Sequence, residues 1–268
     1  MSRLDRRFAA LKAEGRAGFI AYVMGGDPDF ETSAAILDAL PGAGADIIEL
    51  GFAFSDPMAE GPSIQRAAER ALRAGMSLSR TLELAAGFRK GDDETPLVLM
   101  GYLNPVESMG YEAFAARAAQ SGIDGLIVVD CPPEEAGALH AALEAEGISL
   151  IRLATPTSDA GRLRVVVKGT SGFVYYVSVA GVTGVKSADP AAIAAAVQQV
   201  RDASGLPVAV GFGVRTPEQA AGVARIADAV VVGSALVDEV ARAIADQHAV
   251  KPAVVDAVRA LGAAVRAA

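Results

Sequence analysis

Asp46-Ile47-Ile48-Glu49-Leu50 is a short apolar run that carries a carboxylate near its end, and an acidic loop over residues 51–62 follows it directly. The run is too short for a buried helix and is rich in Ile and Leu, which is typical of a strand covered by helices on both faces. A carboxylate buried there must be neutralised, hydrogen-bonded or used, because an unpaired buried charge costs several kcal/mol. Glu49 is therefore the first candidate for a functional residue.

Runs of this kind recur along the whole chain and alternate with segments that carry helix signals. Pro62 opens one such segment and Gly75 closes it, which follows the preference for proline at the start of a helix and glycine after its end. The eight predicted strands are Phe19 to Met24, Ile47 to Leu50, Leu97 to Met100, Leu126 to Val129, Ser149 to Leu153, Phe173 to Val177, Val208 to Val210 and Ala229 to Val232.

A weak internal repeat indicates that these strands belong to repeated βα units. Gly44-Ala45-Asp46, Gly122-Ile123-Asp124 and Ile226-Ala227-Asp228 each lead into a predicted strand. Eight such units in 268 residues, with no linker rich in Pro, Ser or Gly, favour an α/β fold of one kind, a single (β/α)8 TIM barrel that spans residues 1–268 as one domain. An open doubly wound sheet is the alternative.

Composition excludes several classes of function. The chain has 32 acidic against 24 basic residues and a net charge of −8, which disfavours nucleic-acid binding. No apolar stretch is long enough to predict a membrane span, and the basic start of the chain lacks the apolar stretch of a signal peptide. A single cysteine, Cys131, and two histidines leave no disulfide framework and no His/Cys metal cluster. We expect a cytoplasmic protein without a structural metal.

Two carboxylates are placed for acid–base chemistry. Alternate side chains of a barrel strand face inward, so if Ile48 and Leu50 pack against the helices, Glu49 faces the interior at the end where barrel enzymes build their sites. Glu60 follows near the end of the acidic loop, and two such groups can divide the roles of acid and base. The alternatives are a structural ion pair between Glu49 and Arg152, and a Glu60 that is merely solvated.

Glycine-containing turns follow the last three predicted strands and predict a phosphate site. They are residues 180–184, Gly211-Phe212-Gly213 and Gly233-Ser234. Glycine lets backbone N–H groups approach an anion, and Ser234 can begin a helix whose N-terminus favours negative charge. None of the lysines falls at the carboxyl end of a predicted strand, which disfavours a Schiff-base aldolase.

These residues resemble the signature of the tryptophan synthase alpha chain family. The resemblance rests on Glu49-Leu50-Gly51, Phe54-Ser55-Asp56-Pro57 and Gly61-Pro62-Ser63-Ile64-Gln65, in that order. It extends over nearly the whole chain, because further motifs match in order and spacing: Gly26-Asp27-Pro28, Asp130 with Pro132-Pro133-Glu134-Glu135, Ser178 to Gly184, and Gly211-Phe212-Gly213.

The resemblance implies cleavage of indole-3-glycerol phosphate to indole and glyceraldehyde 3-phosphate, without metal or organic cofactor. Indole then passes to a tryptophan synthase beta chain in an alpha2beta2 complex. The bond to be broken has no carbonyl electron sink, so C3 of the indole ring must first be protonated. Glu49 is implied as the group that delivers this proton and takes one from the glycerol hydroxyl, and Glu60 as the carboxylate at the indole N–H.

The resemblance also assigns the remaining site residues. Tyr175 is placed beside the indole as a third catalytic residue, with plain core packing as the alternative, and Thr183 among the substrate-binding residues. The apolar slot for the indole ring would consist of Tyr22, Met100, Ile127, Val129, Leu153 and Phe212, and the phosphate site of Gly184, Gly213, Gly233 and Ser234. Two positions depart from the family pattern, since Glu60 replaces the usual aspartate and Ala53 the usual proline.

Three other functions stay open at this point. The chain could be a free-standing lyase that releases indole, or a catalytically weak barrel that mainly binds and activates a beta chain. It could also be another phosphate-binding barrel enzyme, such as a sugar-phosphate isomerase, although the Glu49 loop argues against this.

Overall fold

Eight parallel strands close into a barrel in chain order, each hydrogen-bonded to the next and the last to the first. The architecture is seen in a computed structural model, which describes residues 1–177, 190–211 and 213–268, apart from the side chain of Pro190. The strands are β1 Gly18–Met24, β2 Ile47–Gly51, β3 Leu97–Gly101, β4 Gly125–Val128, β5 Ser149–Ala154, β6 Val174–Val177, β7 Val208–Gly211 and β8 Ala229–Val232. The predicted TIM barrel is confirmed, and the open sheet is wrong.

Helices occupy the segments between the strands and surround the barrel. They are α1 Arg3–Glu14, α2 Phe30–Ala43, α3 Pro62–Arg73, α4 Leu78–Phe88, α5 Leu103–Met109, α6 Tyr111–Gln120, α7 Gly137–Ala145, α8 Ala160–Val167, α9 Pro190–Ser204, α10 Pro217–Ala224, α11 Ser234–Ala245 and α12 Val250–Arg266. Within the described part of the chain, no helix combines the length and the apolar character that crossing a membrane requires.

The alternation of side chains along β2 places Glu49 as the sequence predicts. Ile48 and Leu50 belong to the core between the strands and the helices, whereas Ile47 belongs to the core inside the barrel. Glu49 lies beside Tyr22 of β1 in the strand register. Because side chains alternate between the two faces of a strand, Glu49 shares the inward face with Ile47, near the carboxyl end of the barrel.

The repeated acid before a strand has a structural role at the opposite end of the barrel. Asp46 accepts a hydrogen bond from the backbone N–H of Phe19 at 2.9 Å. Asp124 and Asp228 do the same for the first residues of β3 and β7, with distances of 2.8 Å in both cases. Each carboxylate therefore ties the start of one strand to the start of the strand before it in the barrel.

An arginine completes each of these three pairs. Arg16 bonds Asp46 at 2.8 Å, Arg89 bonds Asp124 at 2.7 Å and Arg201 bonds Asp228 at 3.0 Å. The two buried carboxylates, Asp46 and Asp124, are thus paired and hydrogen-bonded, the condition under which buried charges are tolerated, and the partly exposed Asp228 has the same arrangement.

Candidate active site

Glu49 is enclosed by the barrel and lacks a complete set of partners. The residue is 1% exposed, and its Oε2 atom has no hydrogen-bond partner among the described residues. Burial raises the pKa of Glu49 to about 8, with a further contribution from the charge of Glu60. Near neutral pH the side chain is therefore largely a protonated acid, which can give a proton to a substrate.

Arg152 does not neutralise Glu49. Its neighbour in β5, Ile151, belongs to the barrel interior, so Arg152 points to the other face of the strand. There its guanidinium donates to the carbonyl oxygen of Cys131 at 3.1 Å. Among the described residues Glu49 forms no ion pair, and the structural ion pair considered from the sequence is wrong.

The loop after β2 carries Glu60 to the mouth of the barrel and is held by contacts on both sides of that residue. The backbone N–H of Ala59 donates to the hydroxyl of Tyr102 at 2.9 Å, and the Tyr102 ring stacks on Phe54. The amide of Gln65 donates to the carbonyl oxygen of Glu60 at 2.9 Å. Burial raises the pKa of Glu60 to about 7, and the residue is only partly exposed and lines a cavity, unlike a freely solvated loop glutamate.

Both carboxylates line one cavity at the carboxyl end of the barrel. The lining consists of Tyr22, Glu49, Glu60, Gly61, Ile64, Met100, Tyr175, Gly213, Val214, Arg215, Val231, Gly233 and Ser234. Residues from β1, β2, β3, β6 and β8, and from the loops that follow the last strands, therefore meet there.

The cavity brings together most of the site residues predicted from the sequence that the structure describes. These are Glu49, Glu60, Tyr175, Tyr22, Met100, Gly213, Gly233 and Ser234. Ile127 lies in the core inside the barrel, with Val129 and Leu153 packed against that core; these three do not line the cavity, and their contact with indole stays a prediction. Thr183, Gly184 and Phe212 lie outside the described residues.

Two tyrosines face the carboxylates, and each occupies space that a glycine leaves free. A Cβ atom on Gly51 would overlap the hydroxyl of Tyr22, and one on Gly211 would overlap the hydroxyl of Tyr175. Burial raises the pKa of both tyrosines far above the usual value, and the charges of Glu49 and Glu60 add to this shift. Both phenols therefore stay protonated at neutral pH.

The far wall of the cavity offers backbone N–H groups. Gly213 has φ of +79°, a conformation that glycine adopts without strain. Gly233 is the N-cap of α11 and makes no side-chain capping bond. The N–H of Leu236 donates to the Gly233 carbonyl at 2.9 Å, whereas the N–H groups of Ser234 and Ala235 precede the first bond of the helix and can serve a ligand. An anion placed here would meet free donors and the positive end of the helix dipole.

Several lining residues were not predicted from the sequence. Ile64 lies in the first turn of α3, within a motif that carries the resemblance but was not assigned to the substrate. Val231 is an inward position of β8 that strand alternation could have identified. Arg215 and Val214 follow Gly213 directly. The glycine motif predicts backbone donors, and nothing in its spacing indicates that the side chain two residues further on also lines the cavity.

The fold and the site define a (β/α)8-barrel enzyme whose cavity, at the carboxyl end of the strands, contains two carboxyl groups with raised pKa values. The family model described as "Tryptophan synthase alpha chain" matches residues 8–266. The chain belongs to the tryptophan synthase alpha chain family.

Similar proteins agree over the whole length. The chain is 67% identical to the tryptophan synthase alpha chain of Caulobacter sp. (strain K31), with 99% of this chain and 97% of that protein covered. Identity to the alpha chain of Caulobacter vibrioides (strain NA1000 / CB15N) is 66%, with the same shares of the two proteins covered.

Solved structures give the same result. Tryptophan synthase subunit alpha from Legionella pneumophila str. Paris has a TM-score of 0.93 at 40% identity, with 100% of both chains covered. A chain of tryptophan synthase from M. tuberculosis, in the open form with BRD0059 bound, has a TM-score of 0.88 at 38% identity, with 99% of both chains covered.

The protein is a carbon–carbon lyase that cleaves indole-3-glycerol phosphate to indole and glyceraldehyde 3-phosphate and acts with a tryptophan synthase beta chain. The resemblance stated from the sequence is confirmed. The alternative of an unrelated phosphate-binding barrel enzyme is wrong.

Proposed function

We propose that Glu49 is the proton shuttle of the lyase reaction. Its proton goes to C3 of the indole ring, which gives an indolenine cation that can accept electrons. The glycerol hydroxyl then returns a proton to the Glu49 carboxylate while the C–C bond breaks, so the aldehyde forms and the bonding electrons restore the indole ring. The observation that carries this role is an enclosed carboxyl with an unpartnered oxygen and a pKa of about 8.

Glu60 takes the second role, as acceptor of the indole N–H. The positive charge that develops on protonated indole is shared by the ring nitrogen, and a carboxylate beside the N–H stabilises it. With a pKa of about 7, Glu60 is partly ionised at neutral pH, and substrate protonation favours its charged form. The two carboxyl groups thus work in different protonation states, as paired acids in enzyme sites commonly do.

The remaining predicted residues divide the cavity between the two parts of the substrate. Tyr22, Met100 and Tyr175 form the walls near Glu49 and would hold the indole, together with Ile127, Val129, Leu153 and Phe212 and with Thr183. Gly213, Gly233 and Ser234 would bind the phosphate through backbone N–H groups, with Gly184 as a further donor. The family's role is biosynthetic, and on that ground we assign the protein to the cytoplasm.

The decisive experiment measures indole release from indole-3-glycerol phosphate by the wild type and by Glu49→Gln, each alone and with a tryptophan synthase beta chain. The loss of a positioned general acid and base predicts a fall in kcat of about 10²- to 10⁴-fold. Normal turnover by Glu49→Gln would contradict the proposed role of Glu49 as proton shuttle.

The same assay separates the two other functions considered from the sequence. Full activity of the wild type without a beta chain would indicate a free-standing lyase. An inactive wild type that still stimulates the beta chain would indicate a barrel that serves mainly as an activating partner.

A further inference from the structure

Arg215 is the one residue with a positively charged side chain among the described residues that line the cavity. It lies in the loop between β7 and α10, two residues after Gly213. The substrate's phosphate carries close to two negative charges, and the same cavity contains Glu49 and Glu60. A cation at the phosphate side of this cavity therefore counters an otherwise unfavourable accumulation of negative charge.

The guanidinium of Arg215 reaches from its loop to α11, the helix that begins at Ser234. Its Nη2 atom donates to Asp238, one turn into that helix. Gly213, Gly233 and Ser234 line the cavity beside Arg215. The cation is thus held between the two glycine turns that offer their backbone N–H groups to the phosphate.

Asp238 is a fixed anchor for this guanidinium. Burial alone would raise the pKa of Asp238. The opposite effect is larger, because Ser63 and Arg215 donate hydrogen bonds to the carboxylate and the charges of Arg215 and Arg66 attract it, so the pKa lies below its usual value. The carboxylate is therefore ionised at neutral pH. An arginine held by an ionised partner loses less side-chain freedom when it binds a ligand.

The bond to Asp238 leaves donors of Arg215 available. Only Nη2 is engaged with a side chain of the described part of the chain, and the Arg215 side chain is 53% exposed. Since a guanidinium has five N–H donors in a planar fork, Nε and Nη1 can each bond a phosphate oxygen while Nη2 stays on the carboxylate.

We propose that Arg215 binds the phosphate of indole-3-glycerol phosphate and sets the enzyme's affinity for phosphorylated substrates. This inference rests on the proposed phosphate position at Gly213, Gly233 and Ser234 and adds to it a charged side chain. The backbone N–H groups orient the phosphate, and the guanidinium supplies the charge that they lack. The alternative role for Arg215 is structural, as a tie between the loop after β7 and α11.

The test compares the wild type with Arg215→Gln and Arg215→Lys, all in complex with the beta chain. For Arg215→Gln we expect KM for indole-3-glycerol phosphate, and Kd for glycerol 3-phosphate, to rise about tenfold, the effect of one partly exposed charge-assisted contact. Kd for indole, which has no phosphate, should change by less than about twofold, and kcat by less than about threefold. Arg215→Lys keeps the charge without the fork and should recover part of the affinity.

Two controls make the result specific. Arg225→Gln removes an exposed guanidinium next to the C-terminus of α10 and should leave both constants unchanged. Raising the salt concentration should weaken glycerol 3-phosphate binding in the wild type more than in Arg215→Gln, since screening acts on a charge that the variant lacks. A structural tie would instead change kcat and indole binding as much as phosphate binding.

The proposal is overturned if Arg215→Gln binds glycerol 3-phosphate as tightly as the wild type does. Gly213→Ala distinguishes this outcome from a misplaced phosphate site, because a side chain at φ of +79° strains the turn that offers the N–H groups. If Gly213→Ala weakens glycerol 3-phosphate binding and Arg215→Gln does not, the proposed phosphate position is supported and the proposed role of Arg215 is wrong. If neither variant weakens glycerol 3-phosphate binding, both the phosphate position and the role of Arg215 are wrong. The role of Glu49 is tested separately, by Glu49→Gln.

Discussion

The two ends of the barrel treat the same chemical group in opposite ways. At the amino end, Asp46, Asp124 and Asp228 each accept a backbone N–H and pair with an arginine. At the carboxyl end, Glu49 and Glu60 lie in a cavity with pKa values raised to about 8 and about 7. The acids at the amino end are paired and hydrogen-bonded within the fold, whereas Glu49, with one oxygen unpartnered among the described residues, remains available for proton transfer.

The largest expected effect concerns the pH dependence of stability, which Glu49 should dominate. Below about pH 4.5 Glu49 is protonated in both the folded and the unfolded state, so its burial carries no ionisation penalty. Between that pH and about 8 the unfolded state loses the proton and the folded state keeps it. Each pH unit in this window removes about 1.4 kcal/mol of stability, up to about 5 kcal/mol in all.

Urea unfolding of the wild type and of Glu49→Gln at a series of pH values measures this difference. The free energy of unfolding of Glu49→Gln should exceed that of the wild type increasingly as pH rises from about 5 to 8, and the gap should be constant above about pH 8. Parallel curves for the two proteins would show that Glu49 has an ordinary pKa in the folded state.

At the amino end of the barrel, the variant to compare with Glu49→Gln is Asp124→Ala. It should lower the free energy of unfolding without lowering the rate of indole release. Arg89 and Asp124 are 9% and 5% exposed at their side chains, so the variant leaves the N–H of Leu97 without its acceptor and takes the buried Arg89 guanidinium away from its closest carboxylate. Removal of one partner from such a pair costs about 3 to 5 kcal/mol of unfolding free energy. The value of kcat per folded molecule should stay that of the wild type.

Asp256→Ala is the control for this loss, because its pair with Arg259 is exposed on α12. Its unfolding free energy should change by less than about 0.5 kcal/mol. If Asp124→Ala cost no more than this control, the closure of the amino end by paired carboxylates would have no energetic importance.

Gly51→Ala should disturb the active end through Tyr22. The added Cβ overlaps the Tyr22 hydroxyl, so the ring must leave its position beside Glu49, at a cost of about 1 to 3 kcal/mol in stability together with a lower kcat. Gly42→Ala in α2 is the matched control, since its added Cβ meets no atom within 4 Å, and it should stabilise the protein by about 0.5 to 1 kcal/mol. Equal activity of the two variants would contradict the positioning of Tyr22 by Gly51.

Glu60→Asp should have the smallest effect of the series. The backbone on both sides of residue 60 is held by Tyr102 and Gln65, so the shorter side chain withdraws the carboxylate by about one C–C bond. A misplacement of this size predicts a fall in kcat of about tenfold or somewhat more. Indole release measured with saturating substrate checks this, and an increase in rate would show that this loop is built for aspartate.

The sequence predicts most of what repeats along the chain and little of what depends on distant contacts. Each of the eight strands lies within one residue of its predicted bounds, because short apolar runs and helix signals are local. The inward direction of Glu49 follows from the two-residue period of a strand. Asp46 and its two equivalents were noticed as a repeat, but their bonds to the preceding strand depend on the barrel being closed.

Long-range partners explain the rest of the difference. The hydroxyl of Tyr102 accepts a hydrogen bond from the N–H of Ala59, which is 43 residues away in the sequence. Arg215 pairs with Asp238, which is 23 residues away. No periodicity or spacing indicates which hydroxyl or carboxylate will meet a given loop, because loop positions are set by the packing of helices around the barrel. The walls of the cavity were accordingly predicted better than the contacts that position its charged groups.

The most direct test of the central claim is a titration of Glu49 itself in the folded protein. Difference infrared spectroscopy of the wild type against Glu49→Gln isolates the carboxyl signal of this one residue as pH is varied. The loss of the protonated carboxyl band should have its midpoint near pH 8. A midpoint near pH 4.5, the ordinary value for glutamate, would show that Glu49 is solvated or paired like the acids at the amino end.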